Sequence, residues 1–173
     1  LTFVLHVPRV GMELNILDVG QGDGIYLRTS SGQDLFIDGG SSDVSKVGTY
    51  RILPFFKYNG VRGIDYWFVS HADKDHISGL QEMLADGYPI DNLVFAESVV
   101  QDEAYEELVT LAEKMGTEVL YMGYLDCLHM GDARLTCVFP YEGCVMNDKN
   151  AASLVLYYKD NEFDYIILDC PAG

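Results

Sequence analysis

Seven residues constrain this chain more than any others. Ser70-His71-Ala72-Asp73-Lys74-Asp75-His76 follow directly on Tyr66–Val69, a short run that is apolar throughout. An apolar run of that length bounded by polar residues reads as a buried strand. The segment after it packs two imidazoles and two carboxylates into six positions. A loop leaving a strand can turn alternate side chains toward one point, and His71, Asp73 and Asp75 are each two apart. Asp75 and His76, as neighbours, project in different directions and suit two adjacent metal positions. Imidazole with carboxylate fits zinc, manganese or iron. Two such ions about 3.5–4 Å apart would clamp a substrate and generate hydroxide near neutral pH. The competing reading is a solvated acidic loop, with Asp73 or Asp75 capping a helix that begins near Ile77. So dense a set of donors argues against it.

The chain before this loop reads as a β-meander. Met12–Leu17, Ile25–Thr29 and Asp34–Ile37 are strand-like, separated by the glycine-rich turns of residues 18–24, by Ser30-Ser31-Gly32-Gln33, and closed by Asp38-Gly39-Gly40. Val47–Asn59 is expected to be helical in part, with Pro54 interrupting it. After the loop, Ile77–Asp86 continues as a helix and Leu93–Ala96 as a strand. Asp102–Met115 is an amphipathic helix, since Ala104, Leu108, Leu111, Ala112 and Met115 recur three or four apart, and Gly116 follows as its C-cap. Glu118–Tyr121, Arg134–Phe139, Ser153–Tyr158 and Tyr165–Leu168 supply further strands. Paired strands followed by alternating strands and helices predict a layered α/β (α+β) architecture.

Composition sets outer limits. At 173 residues and 49 % hydrophobic content the chain suits one domain with a real core. No apolar run approaches the roughly 20 residues of a membrane helix, and Leu1–Val10 lacks the features of a signal peptide. The chain therefore reads as a soluble piece excised from something longer. Its net charge of −16 disfavours a simple nucleic-acid-binding module. It disfavours a metal enzyme less, because a bound cation reverses the local sign. Cys127, Cys137, Cys144 and Cys170 form no CxxC pair and read as small buried hydrophobes, with room for one disulfide in an oxidising compartment. Trp67 reads as core, Lys74 as solvent-facing, His6 as incidental and His129 as a surface residue of a turn. The twelve tyrosines are scattered, with no aromatic ladder for stacking bases.

HADKDH resembles the HxHxDH metal motif of the metallo-β-lactamase fold, with Asp73 in place of the second His. Followed by Ile77-Ser78-Gly79-Leu80, it is similar to the SHxDxDHxxG signature of ComEC-type competence proteins. Asp18-Val19-Gly20-Gln21-Gly22-Asp23, Phe36-Ile37-Asp38-Gly39-Gly40 and Asn150-Ala151-Ala152-Ser153-Leu154-Val155-Leu156 resemble other motifs of that family, in family order. The resemblance implies a four-layer αββα sandwich with the metal site at one edge. It implies His71, Asp73, Asp75 and His76 as metal ligands or metal-proximal groups for one or two divalent ions, zinc or manganese. Asp75 would also hold the attacking water. Asp38 would brace the metal loop, and Asp18, Gln21 and Asp23 would line the same edge or serve only as turn residues.

The chain also departs from the pattern. Where the family's TGD-like motif carries a ligating Asp, this chain has Pro171, and Asp169, two residues earlier on the same strand face, is the candidate substitute. The usual last portion of the fold is expected to be missing, so the chain by itself is a candidate for inactivity. The resemblance implies a phosphodiesterase or nuclease linked to DNA uptake. DNA would be the substrate of the parent protein, a membrane channel another part of the same parent chain, and the domain would sit on the extracytoplasmic side without touching lipid. The alternatives are a hydrolase of small esters or lactams on the same fold, or a non-catalytic domain that kept the scaffold.

Overall fold

The computed structural model describes residues 11–141 and 153–167. Asp169 and Pro171, Asn150–Ala152, Cys144, Cys170 and His6 lie outside the described residues.

Two sheets form the frame. The first has six strands in sequence order: β1 (Glu13–Ile16), β2 (Gly24–Arg28), β3 (Asp34–Asp38), β4 (Ile64–Val69), β5 (Ile90–Ala96) and β6 (Glu118–Met122). β1, β2 and β3 pair antiparallel, and β3 to β6 pair parallel. The second sheet is antiparallel, in the order β10 (Asp164–Ile167), β9 (Val155–Lys159), β8 (Ala133–Phe139), β7 (Cys127–Met130). The crossovers of the parallel part carry the helices α1 (Leu53–Asn59), α2 (Lys74–Ala85) and α3 (Glu103–Met115).

Alternation along the central strands sends residues to two cores. Tyr26, Phe36, Trp67, Val69, Leu93 and Phe95 face the helices and meet Phe56, Leu80, Met83, Leu84 and Leu108. Their neighbours Leu27, Leu35, Ile37, Phe68, Val94 and Ala96 face the second sheet and meet Leu135, Cys137, Leu156 and Tyr158. Strands covered on both faces must be apolar throughout, which is why Leu35-Phe36-Ile37 and Trp67-Phe68-Val69 are unbroken. The described residues thus build helix, sheet and sheet layers of the expected sandwich.

Several boundaries differ from the sequence reading. Pro54 does not interrupt a helix; it sits in the first turn of α1, where a missing N–H costs nothing, after one wide turn over Gly48–Ile52. α2 begins at Lys74, not Ile77, so Asp75 and His76 belong to its first turn. His129 lies in β7, a strand the sequence reading missed, although its side chain is exposed as expected. Trp67 is fully buried, Cys137 is core, and Lys74 faces solvent. Among the described residues Cys127 and Cys137 are both free thiols, and burial pushes the Cys137 thiol up. No helix among the described residues is long and apolar enough to cross a membrane.

Candidate metal centre

All four parallel strands end at the same edge, so the segments that follow β3 and β4 lie side by side there. β3 stops at Asp38 and β4 runs into Ser70-His71-Ala72-Asp73. Asp38 adopts a left-handed backbone, φ 59°, unusual for a residue with a Cβ. Its surroundings hold it there. The fully buried carboxylate accepts the Ser70 N–H at Oδ1 (2.8 Å) and lies 3.1 Å from His76 Nδ1 at Oδ2. Its carbonyl accepts the Trp67 indole N–H at 2.6 Å. Left-handed residues of this kind gather at functional sites, where surrounding contacts over-determine the strain.

The two imidazoles come together, with ring centroids 3.9 Å apart, and both are buried. Each Nε2 faces a carboxylate of the same loop: His71 Nε2 is 3.7 Å from Asp73 Oδ2, and His76 Nε2 is 3.9 Å from Asp75 Oδ2. The Asp73 and Asp75 side chains are 40 % and 29 % exposed, so this side of the cluster opens to solvent. Asp73 takes the N-cap position of α2, yet its side chain makes no capping hydrogen bond. Asp75, in the first turn, has the helix N-terminus to favour its charge.

Asp23 joins the cluster from the β1–β2 loop. Its donor atom and those of Asp38 and His76 all lie within 4.8 Å of one another. Asp18 and Gln21 do different work. Asp18 is 84 % exposed, pairs with Arg51 at 3.6 Å, and accepts the Gly20 N–H at 3.3 Å. Gln21 acts through its backbone, donating its N–H to Asp43 Oδ1 (2.7 Å) and accepting the Ser42 N–H (2.8 Å). The Gln21 N–H and the Ser41 hydroxyl together hold the Asp43 carboxyl below the usual carboxylate range.

The glycines of both loops make this convergence possible. A Cβ on Gly22 would collide with the carbonyl oxygens of Asp75 and Gly40, and one on Gly40 would collide with the backbone of Lys74, Asp75 and His76. Bare backbones therefore pack against the first turn of α2. Ser70 and Ser153, which the sequence reading did not single out as site residues, stand against the imidazoles. Ser70 Oγ is 3.2 Å from Nδ1 of both His71 and His76, and Ser153 Oγ is 3.3 Å from His71 Nδ1.

A separate cleft of about 670 Å³ lies at the other end of the first sheet, lined by Arg28, Asp34, Arg62, Asp65 and Asp91. Asp34 there binds Arg28 through both carboxylate oxygens (2.7 and 3.0 Å) and accepts the Tyr26 hydroxyl. These groups neutralise one another far from the imidazoles.

No protein-family profile matches the chain. Its sequence is 26 % identical over 168 residues to the ComE operon protein 3 of Bacillus subtilis (strain 168). That match takes in 90 % of this chain but only 21 % of the relative's length. Its fold is similar to that of the metallo-β-lactamase fold protein YhfI from Bacillus subtilis, at a TM-score of 0.58 and 16 % identity over 90 % of this chain and 61 % of that one. A HARLDQ-motif mutant metallo-β-lactamase from Cronobacter sakazakii gives 0.59 and 16 %, covering 95 % and 66 %. Zn²⁺-bound PqqB from Methylobacterium extorquens gives 0.59 and 10 %, covering 84 % and 52 %. The chain thus has the metallo-β-lactamase fold and, over most of its length, a sequence similar to that of ComE operon protein 3.

Proposed function

We propose that the domain is a divalent-metal hydrolase of phosphodiesters, with DNA as the substrate of the longer protein to which it belongs. The observation that carries this reading is the pairing of each buried imidazole with a partly exposed carboxylate, Asp73 at the end of the loop after β4 and Asp75 in the first turn of α2. Imidazole nitrogens and carboxylate oxygens are the donor set of zinc and manganese, and Asp38, buried against His76, supports the ring from behind as such sites require. His71, Asp73, Asp75 and His76 would hold one or two ions, with Asp23 close enough to contribute. When bound, the metal supplies Lewis acidity and a nucleophile at neutral pH.

The rest follows from the chain's own groups. His76 cannot swing, because Asp38 and Ser70 hold its Nδ1 side. Asp75, on the solvent side at the start of α2, receives the proton of the attacking water on its free carboxylate oxygen. The buried floor under the loop, Val69 and Ala72, keeps bulk water to one side. The competence setting draws on the similarity to ComE operon protein 3; an extracytoplasmic location and a membrane channel elsewhere in the parent chain complete the proposal.

The test is cleavage of single-stranded DNA by the protein with Mn²⁺ or Zn²⁺, beside a panel of small esters and a β-lactam. Asp75→Asn should keep the fold and lower turnover by about 10²–10⁴-fold, the range of a lost general base. Cleavage of the small esters alone would move the assignment to another hydrolase of this fold. Metal-loaded, folded protein inert on the whole panel would leave a scaffold without chemistry.

A further inference from the structure

The two imidazoles are held from behind by an unbroken polar chain that crosses the sandwich. It starts in the second sheet, where Ser153 precedes β9 and sets its Oγ 3.3 Å from His71 Nδ1. The adjoining Leu154 N–H donates to the Ser70 carbonyl at 3.4 Å, tying that strand to the metal loop. Ser70 Oγ then lies 3.2 Å from His71 Nδ1 and 3.2 Å from His76 Nδ1. The chain ends at Asp38, whose Oδ2 is 3.1 Å from His76 Nδ1 and whose Oδ1 takes the Ser70 N–H. None of Ser153, His71, Ser70, His76 and Asp38 is more than 6 % exposed.

Within this chain of contacts the rings are met at Nδ1, while each Nε2 faces a carboxylate on the open, acidic side. A carboxylate accepts and does not donate, so the ring atom beside Asp38 carries the hydrogen. Two hydroxyl oxygens stand at nearly equal distances from His71 Nδ1. One N–H can be shared between two such acceptors, whereas one ring lone pair accepts a single hydrogen.

We propose that Ser70 and Ser153 are positioning residues that fix both imidazoles as the Nδ1–H tautomer, so that both Nε2 lone pairs point to the place where a divalent cation binds. The proposal deepens the metal-hydrolase reading and rests on it for its purpose. The orientation itself stands on the hydrogen-bond geometry. It also gives the second sheet a direct hand in the site: Ser153 is the contact through which β9 sets the aim of His71.

The experiment is histidine-selective ¹⁵N NMR of the metal-free protein, paired with Mn²⁺ titration of the same samples. The unsubstituted protein should show both rings protonated at Nδ1. Ser153→Ala should move His71 toward the Nε2–H form, leave His76 unchanged, and weaken Mn²⁺ binding by about 10–100-fold, the usual effect of removing a partner that orients a ligand. Ser153→Thr should restore both readouts. A purely structural serine would lower the melting temperature without moving the His71 nitrogen shifts. If Ser153→Ala does not fold, Ser153→Cys, close in size with a weaker acceptor, reads the same shifts. His71 protonated at Nε2 in the unsubstituted protein, or unmoved in the folded variants, overturns the proposal. Both rings protonated at Nδ1 in a protein that takes up no Mn²⁺ would instead overturn the metal reading and leave the tautomers standing.

Discussion

Gly40 has little to do with turning the chain and much to do with what approaches it. Its backbone does not take a left-handed conformation, yet a Cβ there would run into the peptide joining Asp75 to His76. Gly40→Ala should therefore cost about 1–3 kcal/mol, the range for forced overpacking, and displace the two residues that carry half of the metal loop's donors. A lower urea midpoint with weakened Mn²⁺ uptake is the expected pair of results; an unchanged midpoint would mean the loops do not touch as described. The sequence placed Gly39-Gly40 in a turn, which is the local half of the story. The other half joins positions more than thirty residues apart, and no local pattern encodes it. Ser70 and Ser153 were given no role in the site for a related reason. A serine beside a histidine is ordinary until folding brings a second hydroxyl to the same nitrogen. The imidazoles and carboxylates of residues 71–76 were legible because their chemistry is rare and their spacing short.

At the level of elements, periodicity was a good guide where an element is amphipathic and a poor one where it is short. α3 matches its sequence reading to one residue. Asp102 is its N-cap, accepting the Tyr105 N–H at 3.0 Å, and Gly116, left-handed at φ 86°, closes it. Asp102→Ala should cost about 1 kcal/mol, read as a lowered melting temperature with metal binding unchanged; a loss of metal binding would tie α3 to the site more closely than its position suggests. The helix is also fastened to β6 by the Tyr105 and Tyr121 hydroxyls, and burial, with that bond, pushes the Tyr105 phenol up to about 12. β7 was missed because Cys127-Leu128-His129-Met130 is four residues long with only Met130 fully buried, too little for a period of two to register. The start of α2 was misplaced because Lys74-Asp75-His76 is polar. Those residues are helical because the Asp73 carbonyl accepts the His76 and Ile77 N–H groups, not because an apolar stripe begins there.

Over the whole molecule the two ends of the first sheet have opposite electrostatic tasks. The metal loop keeps its carboxylates next to imidazoles; the far end crowds Asp34, Asp65 and Asp91 around Arg28 and Arg62. Burial, with Asp34 and Asp91 nearby, raises the Asp65 carboxyl above its ordinary value of 3.8. The folded chain then holds this proton more tightly than the unfolded one, so Asp65 makes stability fall as pH rises from 3.8 through the raised value. Asp65→Asn keeps an acceptor for the Asp34 N–H, now at 2.7 Å. It should raise the urea midpoint at neutral pH, with the gain vanishing once the solution is more acidic than 3.8. A variant less stable than the parent at neutral pH would show that the charge is needed. The layered α/β class was legible from the order of strands and helices, and the sandwich from the resemblance of the motifs. The pairing of β8 with β9 was not, since it depends on which strand lies beside which across a long connection.

The indole of Trp67 touches the back of the metal centre through its hydrogen bond to the Asp38 carbonyl. It is also the sole tryptophan of the chain. Emission excited at the red edge of protein absorbance thus comes from one buried ring, a single bond away from the residue that steadies His76. The molecule carries its own optical gauge of that spot, and filling the cluster can be followed by light without a dye, a label or a substrate.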